Sequence, residues 1–304
     1  MNKLFLCFAS ALFLALPAAA DEVPAPEAAQ THAAASYADR PDVQGFVDEM
    51  VQNHGFERAP LLDLFRQTRS EPAVLQAILP PAHPSARSWR GYRKQFVERR
   101  HIKAGKRFME QNRAALKQAS ERFGVPPAVI AAIIGVETFY GRVQGRFATF
   151  SALTTLAFDY PPRAELFRRE LGEFLLLARE AGRDPMSYTG SYAGALGMPQ
   201  FLPSSLRRYA VDGDGDGRID LAGNAADAIS SVASYLARYG WEKGGRVAIP
   251  ARIWGEAFRE LADGSVEPRL SPEDFHSHGI SVVSRLKSGE RAALIEGGAP
   301  AARV

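Results

Sequence analysis

The stretch FGVPPAVIAAIIGVETFYG, residues 123–141, decides how this chain reads. Pro126 and Pro127 suit the first turn of a helix, where a missing N–H costs nothing. Apolar residues then run almost unbroken to Glu137, which follows fourteen uncharged residues. Ile130, Ile133, Ile134 and Glu137 fall at i, i+3, i+4 and i+7, the spacing of a buried helical stripe. Glu137 therefore stands where a core residue is expected. Burial penalises the ionised carboxylate and raises the carboxyl's hold on its proton. A carboxyl still protonated near neutral pH is what cleavage of a glycosidic bond demands. The plain alternative is a glutamate that turns to solvent at the helix end.

Toward the C-terminus, GSYAGALGMPQFLPSS (190–205) has the glycine content of a loop lining a cleft. Ser191 and Gln200 are its polar groups, and a Gln amide both donates to and accepts from an acetamido group. Ser191 follows Gly190 directly, so the stretch is not a G-x-S-x-G nucleophile elbow. It lacks the Gly-Lys-Ser/Thr of a phosphate loop. A purely structural loop is the competing reading.

Next comes DGDGDGRID, residues 212–220. Asp212, Asp214, Asp216 and Asp220 take positions 1, 3, 5 and 9 of an EF-hand-like calcium loop, with Gly217 at 6 and Ile219 at 8. Helical patterns flank it at Leu206–Tyr209 and Ala226–Tyr239. Position 12 is Gly223 rather than a bidentate Glu, and the next carboxylate is Asp227. An acidic turn without metal is the alternative. The six histidines form no H-E-x-x-H pattern, His276-Ser-His278 reads as a surface turn, and no dinucleotide fingerprint follows a strand pattern, so no organic cofactor is expected.

Toward the N-terminus, residues 87–107 hold nine Lys/Arg and one acid, Glu98, with Trp89, Tyr92 and Phe96 interleaved. A solvated basic helix face explains this as well as a binding surface does. Phe46, Val47 and Met50 share a helical face, and Leu61, Leu62, Leu64 and Phe65 follow Pro60. Residues 21–41 are rich in Ala, Pro and Glu and read as a flexible leader. Lys3, the apolar run Leu4–Leu16 and Ala18-Ala19-Ala20 have the form of a signal peptide over 1–20, too short to span a bilayer. No other segment is apolar enough to span. Cys7 is the sole cysteine and sits too early for a lipidation site, so the exported chain is expected to be soluble, periplasmic, unlipidated and free of disulfides. Export argues against a nucleic-acid partner. A net charge of +3 over 304 residues favours an anionic partner without selecting one. Past Gly240, Val247, Ile249, Ala251 and Ile253 alternate like a strand that Pro250 confines to an edge, and Ser281–Leu286 offer another.

Taken in order, AAIIGVETFYGRVQG (131–145), ALTTLAFDYPPRAELF (152–167), GSYAGALGMPQFLPSS (190–205) and the acidic loop resemble the lytic murein transglycosylase B family, bacterial peptidoglycan lyases with a lysozyme-like core. The resemblance runs from about Asp42 to Trp241. It implies a mainly α (α+β) fold. An N-terminal helical subdomain would span 42–122, and a lysozyme-like catalytic core with the calcium loop 123–240. A small β subdomain, shortened relative to the family, would span 241–290, followed by a tail over 291–304. It further implies Glu137 as sole catalytic acid and base, and Ser191, Gln200, Arg163, Tyr92 and Tyr235 lining a sugar cleft. One structural calcium would be held by Asp212, Asp214, Asp216, the Arg218 carbonyl and Asp227. The implied activity is cleavage of the MurNAc–GlcNAc β-1,4 bond of glycan strands with formation of 1,6-anhydro ends, by a monomer. The family's C-terminal N-F-Y-x-x-T-R-Y-N motif has no counterpart before Val304, so a less complete cleft is expected. The rival expectations are a hydrolysing muramidase with a second carboxylate, a non-catalytic peptidoglycan-binding protein, and a calcium-regulated interaction module.

Overall fold

Proline opens five of the helices, each time as the first helical residue: Pro41, Pro72, Pro127, Pro203 and Pro272. Glycine in the left-handed conformation closes two, at Gly55 and Gly124. The computed structural model describes residues 36–79, 89–265, 267–282 and 289–295. The expected signal peptide, most of the leader and the end of the tail lie outside these residues.

In chain order the elements are α1 (Pro41–His54), α2 (Arg58–Gln67), α3 (Pro72–Ile78), α4 (Trp89–Phe96), α5 (Arg99–Gln111), α6 (Arg113–Phe123), α7 (Pro127–Thr138), β1 (Phe147–Ala148), α8 (Thr149–Asp159), α9 (Ala164–Glu180), β2 (Thr189–Gly190), α10 (Pro203–Tyr209), α11 (Ala225–Arg238), β3 (Ala251–Ile253), α12 (Pro272–Ser277) and β4 (Ile280–Val282). Three apolar clusters organise them. In the first, α1, α2 and α3 pack on α8 and α9, through Val43, Phe46, Val47, Leu61, Phe65, Phe150, Leu153 and Phe174. Every residue of α8 from Thr149 to Phe158 is buried, the hydroxyl-bearing Thr149, Ser151, Thr154 and Thr155 included. Phe65 meets Phe150 at 5.1 Å and Phe46 edge-on at 6.0 Å. Asp159, at the end of α8, accepts from the Tyr37 hydroxyl, from Arg40 at 2.5 Å and from Ser70 at 2.8 Å, clamping the start of the described chain to the core.

The second cluster joins α5, α6 and α7 to α11 through Phe108, Leu116, Ile130, Ile134, Ile229 and Val232. Both large clusters therefore draw on either side of the 122/123 boundary read from the sequence. The third is small: Ile253, Leu270, Phe275 and Ile280 meet where β3 pairs antiparallel with β4. The alternation from Val247 shortens to Ala251–Ile253. Pro250 has no N–H to pair, and Val247 is exposed. Of Ser281–Leu286, the described part pairs as Ala251↔Val282 and Arg252↔Ser281, and residues 283–288 lie outside the described residues. No single helix among the described residues is long and apolar enough to cross a membrane.

Glu170 of α9 is buried, and its two oxygens accept from the Ser204 hydroxyl at 2.6 Å and the Ser204 N–H at 3.0 Å, fixing α10 against α9. Burial lifts this carboxyl above the ordinary glutamate range, against those two donors and helped by the like charge of Glu173. Gln at this position keeps both contacts, its oxygen on the N–H and its NH2 on the hydroxyl. Glu170→Gln is expected to be at least as stable as wild type, with an advantage that grows as pH rises from the ordinary glutamate value through the elevated one. Below the ordinary value the carboxyl is protonated folded or unfolded, and the burial penalty is absent. Urea midpoints at about pH 4 and about pH 8 test the sign. A wild type that gains on the variant as pH rises would refute it.

Candidate active site

The apolar stripe of α7 is realised as read: Ile130 and Ile134 are fully buried and Ile133 half-buried. Glu137 is the outer end of that stripe, half-buried, with its Oε2 sealed from solvent. One residue later the helix stops in an unusual turn. Phe139 (φ 51°) and Tyr140 (φ 62°) are both left-handed, followed by Gly141 (φ 81°). Their N–H groups bond back to Gly135 O at 3.0 Å and Ile134 O at 3.2 Å, closing the helix carbonyls. Left-handed backbone costs a side-chain-bearing residue about 1–2 kcal/mol, so two in a row need support.

Packing supplies it. The Tyr140 ring lies against Gly135 of its own helix and Gly105 of α5, where a Cβ on either glycine would overlap it. Phe108 meets the same ring at 5.3 Å, and burial raises the Tyr140 hydroxyl's pKa. Thr138, itself buried, donates to Met198 O at 2.7 Å and accepts from Gly141 N–H at 3.0 Å. The end of the acid-bearing helix is thereby tied to the glycine-rich loop.

That loop is held by its backbone. β1 pairs antiparallel with β2, with Phe147 opposite Gly190. Gly145 (φ 100°) passes so close to Gly190 that a Cβ would overlap the Gly190 carbonyl. Ser191 is half-buried, and its Oγ accepts from the N–H groups of Ala195 at 3.0 Å and Ala193 at 3.3 Å. Gln200 is left-handed (φ 51°) and 4% exposed, with its amide nitrogen donating to Gly197 O at 3.0 Å and Gln144 O at 3.2 Å. Gln144 in turn donates to Gly141 O at 3.1 Å and Ala222 O at 3.0 Å, and Met198 N–H reaches Leu221 O at 2.8 Å. Glu137, Ser191 and Gln200 thus lie on segments knit together by directed bonds.

Arg163 is exposed at the end of a 3-10 turn, Pro161–Arg163, with its guanidinium 5.8 Å from the Phe167 ring. It also approaches Tyr192 of the loop, whose hydroxyl burial pushes up and the nearby arginine pulls down. The Tyr92 side chain lies outside the described residues. Tyr235 is not on an open wall: at 1% exposure its ring is enclosed by Phe201, Tyr209 and Tyr239, the last stacked at 4.5 Å. Tyr239 caps the C-terminal end of α11, and the enclosed Tyr235 ring lies in the core rather than on an open face. The sequence reading missed Thr138, Tyr140 and Tyr192. Thr138 and Tyr192 adjoin residues it named and Tyr140 lies three past Glu137, but Thr138 and Tyr140 make contacts with distant segments, at Met198 and Gly105.

In the acidic loop, carboxylate oxygens of Asp212, Asp214 and Asp227 lie within 4.8 Å of one another. Asp227, fully buried at the start of α11, accepts from Gly213 N–H and Asp220 N–H at 2.7 Å each. Burial is the main cause raising its pKa, with Asp214 and Asp212 adding to it. Asp212 instead accepts from Gly217 and Gly215, which hold its pKa down. A buried carboxylate beside two others is a donor set suited to a hard divalent cation. Asp216 is not in the group: exposed, it bonds the Arg218 N–H at 2.8 Å. Arg218 is exposed as well.

A helical frame with one half-sealed acid at the end of its central apolar helix, beside a glycine-lined loop, is a lysozyme-like enzyme fold. More narrowly, the chain belongs to the transglycosylase SLT domain family, which matches residues 38–301. It is 42% identical over 268 residues to membrane-bound lytic murein transglycosylase B of Escherichia coli, covering 85% of this chain and 73% of that one. The soluble lytic transglycosylase SltB1 of Pseudomonas aeruginosa superposes with a TM-score of 0.76 at 45% identity, over 80% of this chain and 82% of that one. The Escherichia coli lytic transglycosylase Slt35, solved in complex with calcium, gives 0.77 at 40% identity, over 85% and 81%.

Proposed function

We propose that this protein is a peptidoglycan lytic transglycosylase with Glu137 as its only acid and base. The observation that carries the reading is the half-buried Glu137 carboxyl, one oxygen sealed from solvent, at the tip of an otherwise apolar stripe. Protonated Glu137 gives its proton to the oxygen linking N-acetylmuramic acid to N-acetylglucosamine as that bond breaks. Positive charge at C1 is relieved by the substrate's own acetamido oxygen. The Glu137 carboxylate then takes the proton of the muramoyl C6 hydroxyl, whose oxygen bonds to C1 and closes a 1,6-anhydro ring. No water is consumed and the carboxyl ends as it began.

One carboxyl suffices because the nucleophile belongs to the substrate, whereas two-carboxylate glycosidases activate water or form a covalent intermediate. In support, residues 138–148 and 190–205, the segments tied to Glu137, contain no Asp or Glu. Ser191, Gln200, Arg163 and Tyr92 are assigned to sugar binding, and Tyr235 to supporting the wall from the core. Mass spectrometry of muropeptides released from purified sacculi tests the chemistry: anhydro ends are expected. Reducing ends alone would make the protein a hydrolysing muramidase, and binding without release would make it non-catalytic.

We further infer a calcium ion held by Asp212, Asp214 and Asp227, with Asp216 and the Arg218 carbonyl completing its shell. Its role is to neutralise these charges and join the loop to α11, away from the chemistry. Adding calcium at about 100 times its dissociation constant is expected to raise Tm by roughly 5–10 °C over a chelated sample. Asp227→Asn should abolish that difference in a thermal melt. An equal rise in the variant would dismiss the site. Export to the periplasm, where this substrate lies, completes the reading.

A further inference from the structure

Glu137 is followed two residues later by an aromatic ring that gathers cations. The Arg100 guanidinium of α5 lies 5.2 Å from the centre of the Phe139 ring, and that of Arg142 lies 5.0 Å from the same ring. His101 packs on it at 4.3 Å. The ring is fixed, because Phe139 is the first of the two left-handed residues whose turn Tyr140 locks between α5 and α7. The acid nearest Arg100 in sequence, Glu98, is occupied by His101 at 3.2 Å. Among the described residues neither Arg100 nor Arg142 forms an ion pair, and both are exposed. Arg207, by contrast, meets the carboxylates of Glu173 and Glu180; what sets Arg100 and Arg142 apart is that they share one ring, two residues past Glu137.

Two guanidiniums held near one ring concentrate positive charge there, and an anion reaching them would offset it. A guanidinium offers paired N–H donors in the geometry of a carboxylate. We propose that Arg100 and Arg142, mounted on Phe139, bind a carboxylate of the peptide that the glycan strand carries beside the bond being cleaved. The proposal rests on the peptidoglycan reading above and narrows it: the enzyme favours peptide-bearing strands over bare glycan. The ring supplies rigidity, so the two guanidiniums are ordered before substrate arrives and less freedom is lost on binding. The remaining basic residues of α5, among them Lys103 and Lys106, face solvent and steer anionic strands without fixing one.

The experiment compares two polymers made from the same glycan strands, one carrying its peptides and one stripped of them by an amidase. For each, kcat/KM is read from the release of anhydro ends. The ratio of the two values is expected to fall about three- to tenfold in Arg100→Gln and in Arg142→Gln, and further in the double variant. Arg100→Lys, which keeps the charge, should retain part of the preference. For wild type, the ratio should also fall when the peptide carboxylates are amidated, and as salt rises from about 0.05 M to about 0.5 M. An unchanged ratio in folded variants would overturn the proposal and leave the arginines as partners of Phe139 alone. Should wild type release anhydro ends from neither polymer, the transglycosylase reading itself has failed, a result distinct from an unchanged ratio.

Discussion

Glu137→Gln is expected to lower release of anhydro-muropeptides from purified sacculi by about 10³-fold or more, within the range attributed to positioned general acids and bases. Gln matches Glu in shape and fits the same half-buried position at the end of α7, so the fold should persist. It has no proton of suitable acidity to give to the departing sugar oxygen and takes none from the C6 hydroxyl. Both halves of the reaction are lost together, so kcat should fall while binding to sacculi survives. Mass spectrometry of soluble products, with a thermal melt as control, separates loss of chemistry from loss of structure. Equal release by the variant and wild type would remove Glu137 from the mechanism.

Gly145→Ala is expected to be the most damaging single methyl in the structure. The added carbon would overlap the Gly190 carbonyl, and the backbone at φ 100° is itself hostile to a side chain. Neither partner can yield cheaply, since the obstruction is main chain in a paired segment. Forcing β1 from β2 also loosens Ser191, which follows Gly190. The stability loss should be about 3 kcal/mol or more, at the upper end of single substitutions. It is read as the shift in urea midpoint at unchanged slope. At temperatures where the variant remains folded, its turnover of sacculi should fall too. A variant as stable as wild type would mean that the 138–148 turn and the glycine-rich loop are not braced against each other.

Much of this architecture is legible in one dimension because its causes are local. Proline at the first helical position, the repeat of Ile130, Ile134 and Glu137, and alternating Asp and Gly over 212–217 each follow from short-range geometry. The acidic loop was readable by spacing alone up to Gly223, with Asp227 named only as the next carboxylate and through the family resemblance. The spacing rule runs out at Gly223, whereas α11 brings Asp227 beside Asp212 and Asp214. Less was legible where partners are distant. That α1 to α3 pack on α8 and α9 depends on contacts across about a hundred residues, and no periodicity encodes them. Tyr235 shows the opposite failing: an aromatic residue suits a sugar platform and a core equally well until its neighbours are known. The brace around Glu137 was hidden for the same reason. Thr138 and Tyr140 read as ordinary helix-end residues until Met198 and Gly105 are seen against them.

The Tyr140 wedge couples α5 to the end of the helix that carries Glu137. A ring seated on glycines of two different helices works like a key between two rods, so the placement of α5 and that of the end of α7 are set together. Bulk added at Gly105, far along the chain from Glu137, would be felt as a change in turnover before it was felt as a change in melting.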